Sequence, residues 1–161
     1  MIISADSSPL ISLALINKLS VLEQLYREIC VPTAVYDEVS RNDKPCSQEL
    51  KQFVQGKITC VKNTMAVDLL LSDIGTGEAE AIVLALEHQP AMLLIDDLKA
   101  RKLAKMKGLN IIGTLGILLQ AKREGVIGEV KPLIIELLSN NIRIGTKIIE
   151  ITLQAAQEYD I

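Results

Sequence analysis

The side chains able to do chemistry in this chain are nearly all carboxylates. Asp6 follows the apolar residues 1–5, and the pair Asp96-Asp97 follows the apolar residues 91–95. Glu38 lies just beyond Pro32, and Glu78 follows the turn Gly75-Thr76-Gly77. His88 is the one histidine, near the polar end of a predicted helix, so a Ser-His-Asp or Cys-His nucleophile system would have to use it. Cys30, Cys46 and Cys60 are odd in number and lack C-x-x-C spacing, which speaks against zinc or a disulfide framework and for reduced, mostly buried thiols. Any catalysis here is expected to rest on carboxylates, metal ions or both.

Four carboxylates from separated segments suit a hard divalent cation, because Mg²⁺ and Mn²⁺ prefer oxygen ligands. Each acid also has a purely structural reading. Asp6 and Asp96 could be helix N-caps, Glu78 could complement a helix dipole from the first turn, and Glu38 could be a solvated helix residue. Asp37 and Glu80 are read as surface charges, pointing away from their acidic neighbours on each helix. The adjacent Asp96 and Asp97 exceed what capping needs, since one carboxylate suffices for a cap. The other is expected to bind a metal or to hold a metal-bound water.

The elements that must position these acids follow from the hydrophobic pattern. Short, largely apolar runs at residues 1–5, 91–95 and 109–112 read as strands, residues 28–31 as a short connector or strand, and residues 57–62 as an edge strand. Between them, helices are expected over 10–16, 19–26, from Pro32, 47–55, 78–87, from the Asp96-Asp97 pair to Gly108, and 114–122. Ser8-Pro9 is expected to start the first of these as N-cap and first helical residue. Further helices are expected over 130–138 and 146–158. This alternation favours a parallel sheet in an α/β domain, and in such sheets functional residues gather beyond the carboxyl ends of strands.

Bulk properties narrow the function. A chain of 161 residues with 49% hydrophobic content fits one domain with its own core. The longest charge-free stretch, residues 108–121, falls short of the roughly 18 apolar residues of a membrane span. The amino terminus lacks the pattern of an export signal, so a cytoplasmic location is expected. A net charge of −3 and 2% aromatics argue against a broad nucleic-acid coat or base stacking, but not against a local basic groove. Lys99, Arg101 and Lys102 form such a local basic run after Asp97.

Five segments carry a resemblance to the PIN-domain family, in its VapC-like branch of small prokaryotic proteins. They are residues 4–11 (SADSSPLI), 31–39 (VPTAVYDEV), 75–82 (GTGEAEAI), 94–101 (LIDDLKAR) and 108–118 (GLNIIGTLGIL). They run in the family's order over about three-quarters of the chain. The resemblance implies a three-layer α/β/α fold with a central parallel sheet, and a metal-dependent endoribonuclease that uses Mg²⁺ or Mn²⁺. It places Asp6 as the first acid, Glu38 as the second, Glu78 as the third and the pair Asp96-Asp97 as the fourth. Many relatives carry aspartate where Glu78 stands. Asp96, which ends its strand, is favoured as the inner ligand over Asp97.

The resemblance implies further expectations. Ser8 would contribute a hydroxyl near the site. If the chain is such a ribonuclease, Lys99, Arg101 or Lys102 could draw the RNA backbone toward the acids, although a solvated helix face is the plainer reading of each. An antitoxin protein and a second copy in a homodimer are implied partners, with no membrane association. Residues 1–161 are expected to form a single PIN-like domain, of which roughly 131–161 are a helical C-terminal extension. The alternative is a catalytically weak or inactive PIN-fold module that binds nucleic acid or a protein partner. A small-molecule phosphohydrolase lacks support, because neither a D-x-D nucleophile pair nor a glycine-rich phosphate loop is present.

Overall fold

The computed structural model describes residues 1–159. In chain order the elements are β1 (Ile2–Ala5), α1 (Ser7–Leu15), α2 (Ser20–Leu25), β2 (Glu28–Pro32), α3 (Thr33–Val39), α4 (Ser47–Phe53), β3 (Ile58–Thr59) and α5 (Thr64–Leu70). They continue with α6 (Thr76–Glu87), β4 (Ala91–Leu94), α7 (Leu98–Met106), β5 (Asn110–Ile112), α8 (Thr114–Arg123), α9 (Lys131–Ser139) and α10 (Thr146–Ala155). The strands pair in parallel in the order β3-β2-β1-β4-β5. Parallel strands need crossovers, and the helices between them cover both faces of the sheet.

Strand periodicity divides the core. Ile3, Ala5 and Leu94 face one layer, where they meet Leu10 and Leu13 of α1, Ile117 of α8 and Ile134 and Leu137 of α9. Leu93 and Ile95 face the other, packing with Ile82 of α6 and Ala100 and Ala104 of α7. Ser4 points to this second side, and its buried hydroxyl donates to the carbonyl of Ala81 at 2.9 Å. The expected three-layer α/β/α fold with a central parallel sheet is therefore present. No helix among the described residues is long and apolar enough to cross a membrane.

Several local expectations are corrected. Asp6, not Ser8, is the N-cap of α1, so Pro9 sits third in the helix rather than first. That position tolerates proline because first-turn N–H groups have no intrahelical partner. Helix α5 was not anticipated. Its start is set by Asn63, whose side-chain oxygen accepts from the N–H of Ala66 at 3.1 Å, and its buried side is Val67 and Leu70. Strand β3 is an edge strand as expected, but spans only residues 58–59.

The last helix closes before Glu158, freeing that carboxylate to fasten the C-terminal helices. Glu158 accepts from the backbone N–H groups of Val130 and Lys131, each at 2.8 Å, at the start of α9. Lys122 of α8 donates to Glu158 Oε2 at 2.8 Å and to the carbonyl of Ala156 at 2.6 Å. Burial raises the Glu158 pKa, but these donors outweigh it and hold the carboxyl below its ordinary value.

Candidate active site

Strand β1 is the switch point of the sheet: β2 and β3 lie to one side of it, β4 and β5 to the other. Connections leaving β1 and β4 must diverge, which opens a crevice beyond their carboxyl ends. The backbone holds the two lips together, because the N–H of Asp6 donates to the carbonyl of Leu94 at 3.0 Å and that of Ile95 to Ile112 at 2.9 Å. Asp6 and Asp96 therefore emerge side by side.

Asp6 is 3% exposed, and its Oδ1 is buried without a hydrogen-bond partner. Burial raises its pKa from 3.8 to about 7. The Ser7 N–H opposes that rise, and the charges of Glu78, Glu38 and Asp96 add to it. Three acids from three other segments thus act on Asp6. Helix α6 starts flush against two of these carboxylates: a Cβ at Gly77 would lie 3.5 Å from Glu38 Oε2 and 3.7 Å from Asp6 Oδ1.

Glu38 is oriented by Ser7, whose buried hydroxyl donates to Glu38 Oε2 at 3.0 Å, while Lys44 Nζ stands 4.0 Å from Oε1. Glu80 is not a plain surface charge. Its Oε1 accepts from the N–H of Ala34 at 3.0 Å, pinning the first turn of α3, the helix that carries Glu38. Glu78 Oε1 accepts from the N–H of Gly75 at 3.1 Å, closing the start of α6. Burial pushes the Glu78 pKa up, the Gly75 N–H opposes, and the nearby Asp97 and Glu38 add to the rise.

The Asp96-Asp97 pair divides its labour. Asp97 is exposed and caps α7, with Oδ2 accepting from the N–H of Ala100 at 2.9 Å. Asp96 turns toward β5 and is held at both oxygens by Thr114, from the N–H to Oδ1 at 2.8 Å and from the hydroxyl to Oδ2 at 2.6 Å. Capping thus belongs to the second aspartate, and the first is free of it.

The basic run also separates. Arg101 turns inward, and its Nη1 donates to the carbonyl of Ile95 at 2.8 Å. An added Cβ at Gly113 would lie 2.7 Å from Asp96 Oδ1 and 2.9 Å from Arg101 Nη1, so both groups close on that glycine. Lys99 and Lys102 are exposed. Ser8 is exposed on the rim of the groove that also contains Asp96. The serine bonded to an acid is Ser7, which sequence reasoning passed over, as it did Thr114. The signal for both was adjacency to a site residue or to the glycine of a strand-to-helix turn.

The donor chemistry fits a hydrated hard cation. Every candidate ligand is a carboxylate oxygen, and the orphaned Asp6 Oδ1 is an acceptor that a cation would satisfy. Among the described residues, no three acidic, histidine or cysteine side chains are already gathered as a metal cage. Mg²⁺ commonly uses one or two carboxylates and keeps several waters, so a full cage is not required.

Fold and crevice together define a parallel α/β domain with convergent carboxylates at its switch point. A family model described as a PIN domain matches residues 1–158, and the chain belongs to the PIN-domain family. PIN domains are typically nucleases, and those nucleases generally use divalent metal ions. The match runs through α9 and α10 and includes every acid described above. Comparison with curated proteins and with solved structures gave no match.

Proposed function

We propose that this chain is a metal-dependent endoribonuclease hydrolysing RNA phosphodiester bonds. The observation that carries the reading is the buried, unpartnered Oδ1 of Asp6 at the switch point of a PIN-family sheet. A buried acceptor without a partner costs about 1–3 kcal/mol, and a bound cation would remove that cost. Asp6, Glu38, Glu78 and Asp96 would hold Mg²⁺ or Mn²⁺, with Asp97 at the outer edge of the set. Bound there, the ion supplies an activated water and neutralises charge developing on the phosphodiester.

The chain's own residues prepare this chemistry. Ser7 fixes the rotamer of Glu38, and Thr114 fixes that of Asp96. Arg101 places a guanidinium beside Asp96, from which its remaining donors can meet a phosphate. Lys99 and Lys102 supply exposed positive charge on α7, and Ser8 a hydroxyl at the rim. Within this reading residues 1–161 act as one PIN-like domain of the VapC-like branch, with roughly 131–161 as its C-terminal extension. Toxin activity in the cytoplasm, restrained by an antitoxin protein, and a homodimer are the biological setting that this branch implies.

Incubating RNA with wild type, Asp6→Asn and Asp96→Asn in Mg²⁺ or Mn²⁺ tests the proposal. Wild type is expected to cleave and both variants to fail; cleavage that survives both substitutions sinks the site. Glu78, standing where many relatives carry aspartate, favours a second reading, a non-catalytic module for nucleic acid or a protein partner. Calorimetric titration with Mn²⁺ separates the two, since the module would take up no ion.

A further inference from the structure

The acidic crevice opens into a groove of about 820 Å³, reaching from Ser8, Asp96 and Thr114 to the segment between α9 and α10. Its charged lining residues are Asp96, Arg101 and Arg143 alone. Arg143 is exposed, and among the described residues it forms no ion pair. Asp96 already has Thr114 on both oxygens and Arg101 at its side, so the surplus charge of the groove is the Arg143 guanidinium. Ile142 and Ile144 flank it, and Ile148 faces the same space. The walls are thus aliphatic, with a cation at each end and the candidate catalytic acid at the inner one.

We propose that this groove takes the single-stranded RNA adjoining the cleaved bond, with Arg143 as a phosphate ligand remote from the carboxylates. The inference rests on the nuclease reading above and assigns the path of its substrate. One feature favours RNA over a protein segment, and a second is compatible with it. The groove is continuous with Asp96, so a strand lying across the acids must leave through it or over open surface. Arg143, which forms no ion pair among the described residues, carries a guanidinium whose planar donors match a phosphate as well as they match a carboxylate. The aliphatic walls can cover ribose and base faces, but they supply no aromatic platform for stacking.

The test is fluorescence anisotropy with a labelled single-stranded RNA oligonucleotide in EDTA across a salt series. Steady-state cleavage in Mn²⁺ accompanies it. Arg143→Ala is expected to weaken binding about tenfold, the scale of one charge-assisted hydrogen bond. The slope of log affinity against log salt should fall by about 0.7, the value for one phosphate contact on a single strand. The loss should fall on KM more than on kcat. Arg143→Lys should keep the salt slope while losing part of the affinity, and Lys105→Ala, removing an exposed charge outside the groove, should match wild type.

Wild-type affinity and slope in Arg143→Ala, with wild type still cleaving, overturns the groove and leaves the nuclease reading standing. Wild type that neither binds nor cleaves RNA overturns both. If Arg143→Ala keeps RNA affinity but loses affinity for an acidic peptide, the groove belongs to a protein segment and the proposal fails.

Discussion

Asp6 and Asp96 close neighbouring parallel strands, yet their surroundings are opposite. Asp96 has both oxygens held by one residue, Thr114, and a guanidinium nearby. Asp6 is more deeply buried, has one oxygen without a partner, and lies within the fields of three other acids. One lip of the crevice is fixed in advance; the other is left electrostatically uncompensated. A buried acceptor without a partner calls for an explanation, and in the proposed nuclease a bound cation would supply it. Within the proposed nuclease, the contrast would suit Asp6 to direct contact with a cation and Asp96 to the part of a prepositioned companion.

The largest effect should come from Asp6→Asn. Loss of the proposed direct ligand should lower cleavage by more than about 100-fold, beyond the usual cost of an outer-shell change. The same variant should flatten a pH dependence of stability. The folded Asp6 carboxyl stays protonated to about 7, whereas the unfolded one ionises near 3.8. Between those values the folded chain binds more protons, so metal-free wild type should lose stability as pH rises from about 4 to 7. The loss is of the order of 4 kcal/mol and should level off above that window. Urea denaturation in EDTA reads it; an Asp6→Asn profile as steep as wild type would break the assignment.

Gly113→Ala attacks the opposite lip without replacing an acid. Its backbone, at φ −102° and ψ −179°, is ordinary extended chain, so the effect is spatial. The new methyl would meet Asp96 Oδ1 at 2.7 Å. Cleavage should drop about 10–100-fold with the far-UV spectrum unchanged. Thr114→Val should have a milder effect. It removes the 2.6 Å hydroxyl bond but keeps the N–H, so a loss of about tenfold is expected, with Thr114→Ser restoring activity. Indifference to both changes would show that Asp96 needs no prepositioning.

The smallest effect belongs to the outer face of α7. Because Lys99 and Lys102 are exposed, replacing both by alanine should raise KM no more than about fivefold, and less at high salt. A larger loss would mean that the exposed cations, not the inward Arg101, carry the backbone of the substrate.

The sequence made the strand ends legible because an apolar run followed by an acid is a local pattern, as at residues 2–6 and 91–97. It could not show which aspartate of the pair turns inward. That depends on Thr114, which approaches Asp96 only once β5 lies beside β4. The resemblance points to the hydroxyl of Ser8, whereas the helix start at Ser7 turns the neighbouring hydroxyl onto Glu38. Glu80 looked solvated for a related reason, since its partner is a backbone N–H in α3, 46 residues away. Arg143 was invisible in the same way, brought to the groove by the packing of the C-terminal helices.

The fastening at Glu158 sets a timetable. On a ribosome every strand and acid of the crevice has been made by Thr114, but the apolar layer beneath them is filled only when Ile117, Ile134 and Leu137 follow. The wall bearing Arg143 belongs to helices clasped through Lys122, Val130 and Lys131 by a carboxylate that arrives later. In the proposed nuclease the acids and the groove wall would therefore mature together, on a layer that Glu158 is among the last residues to secure.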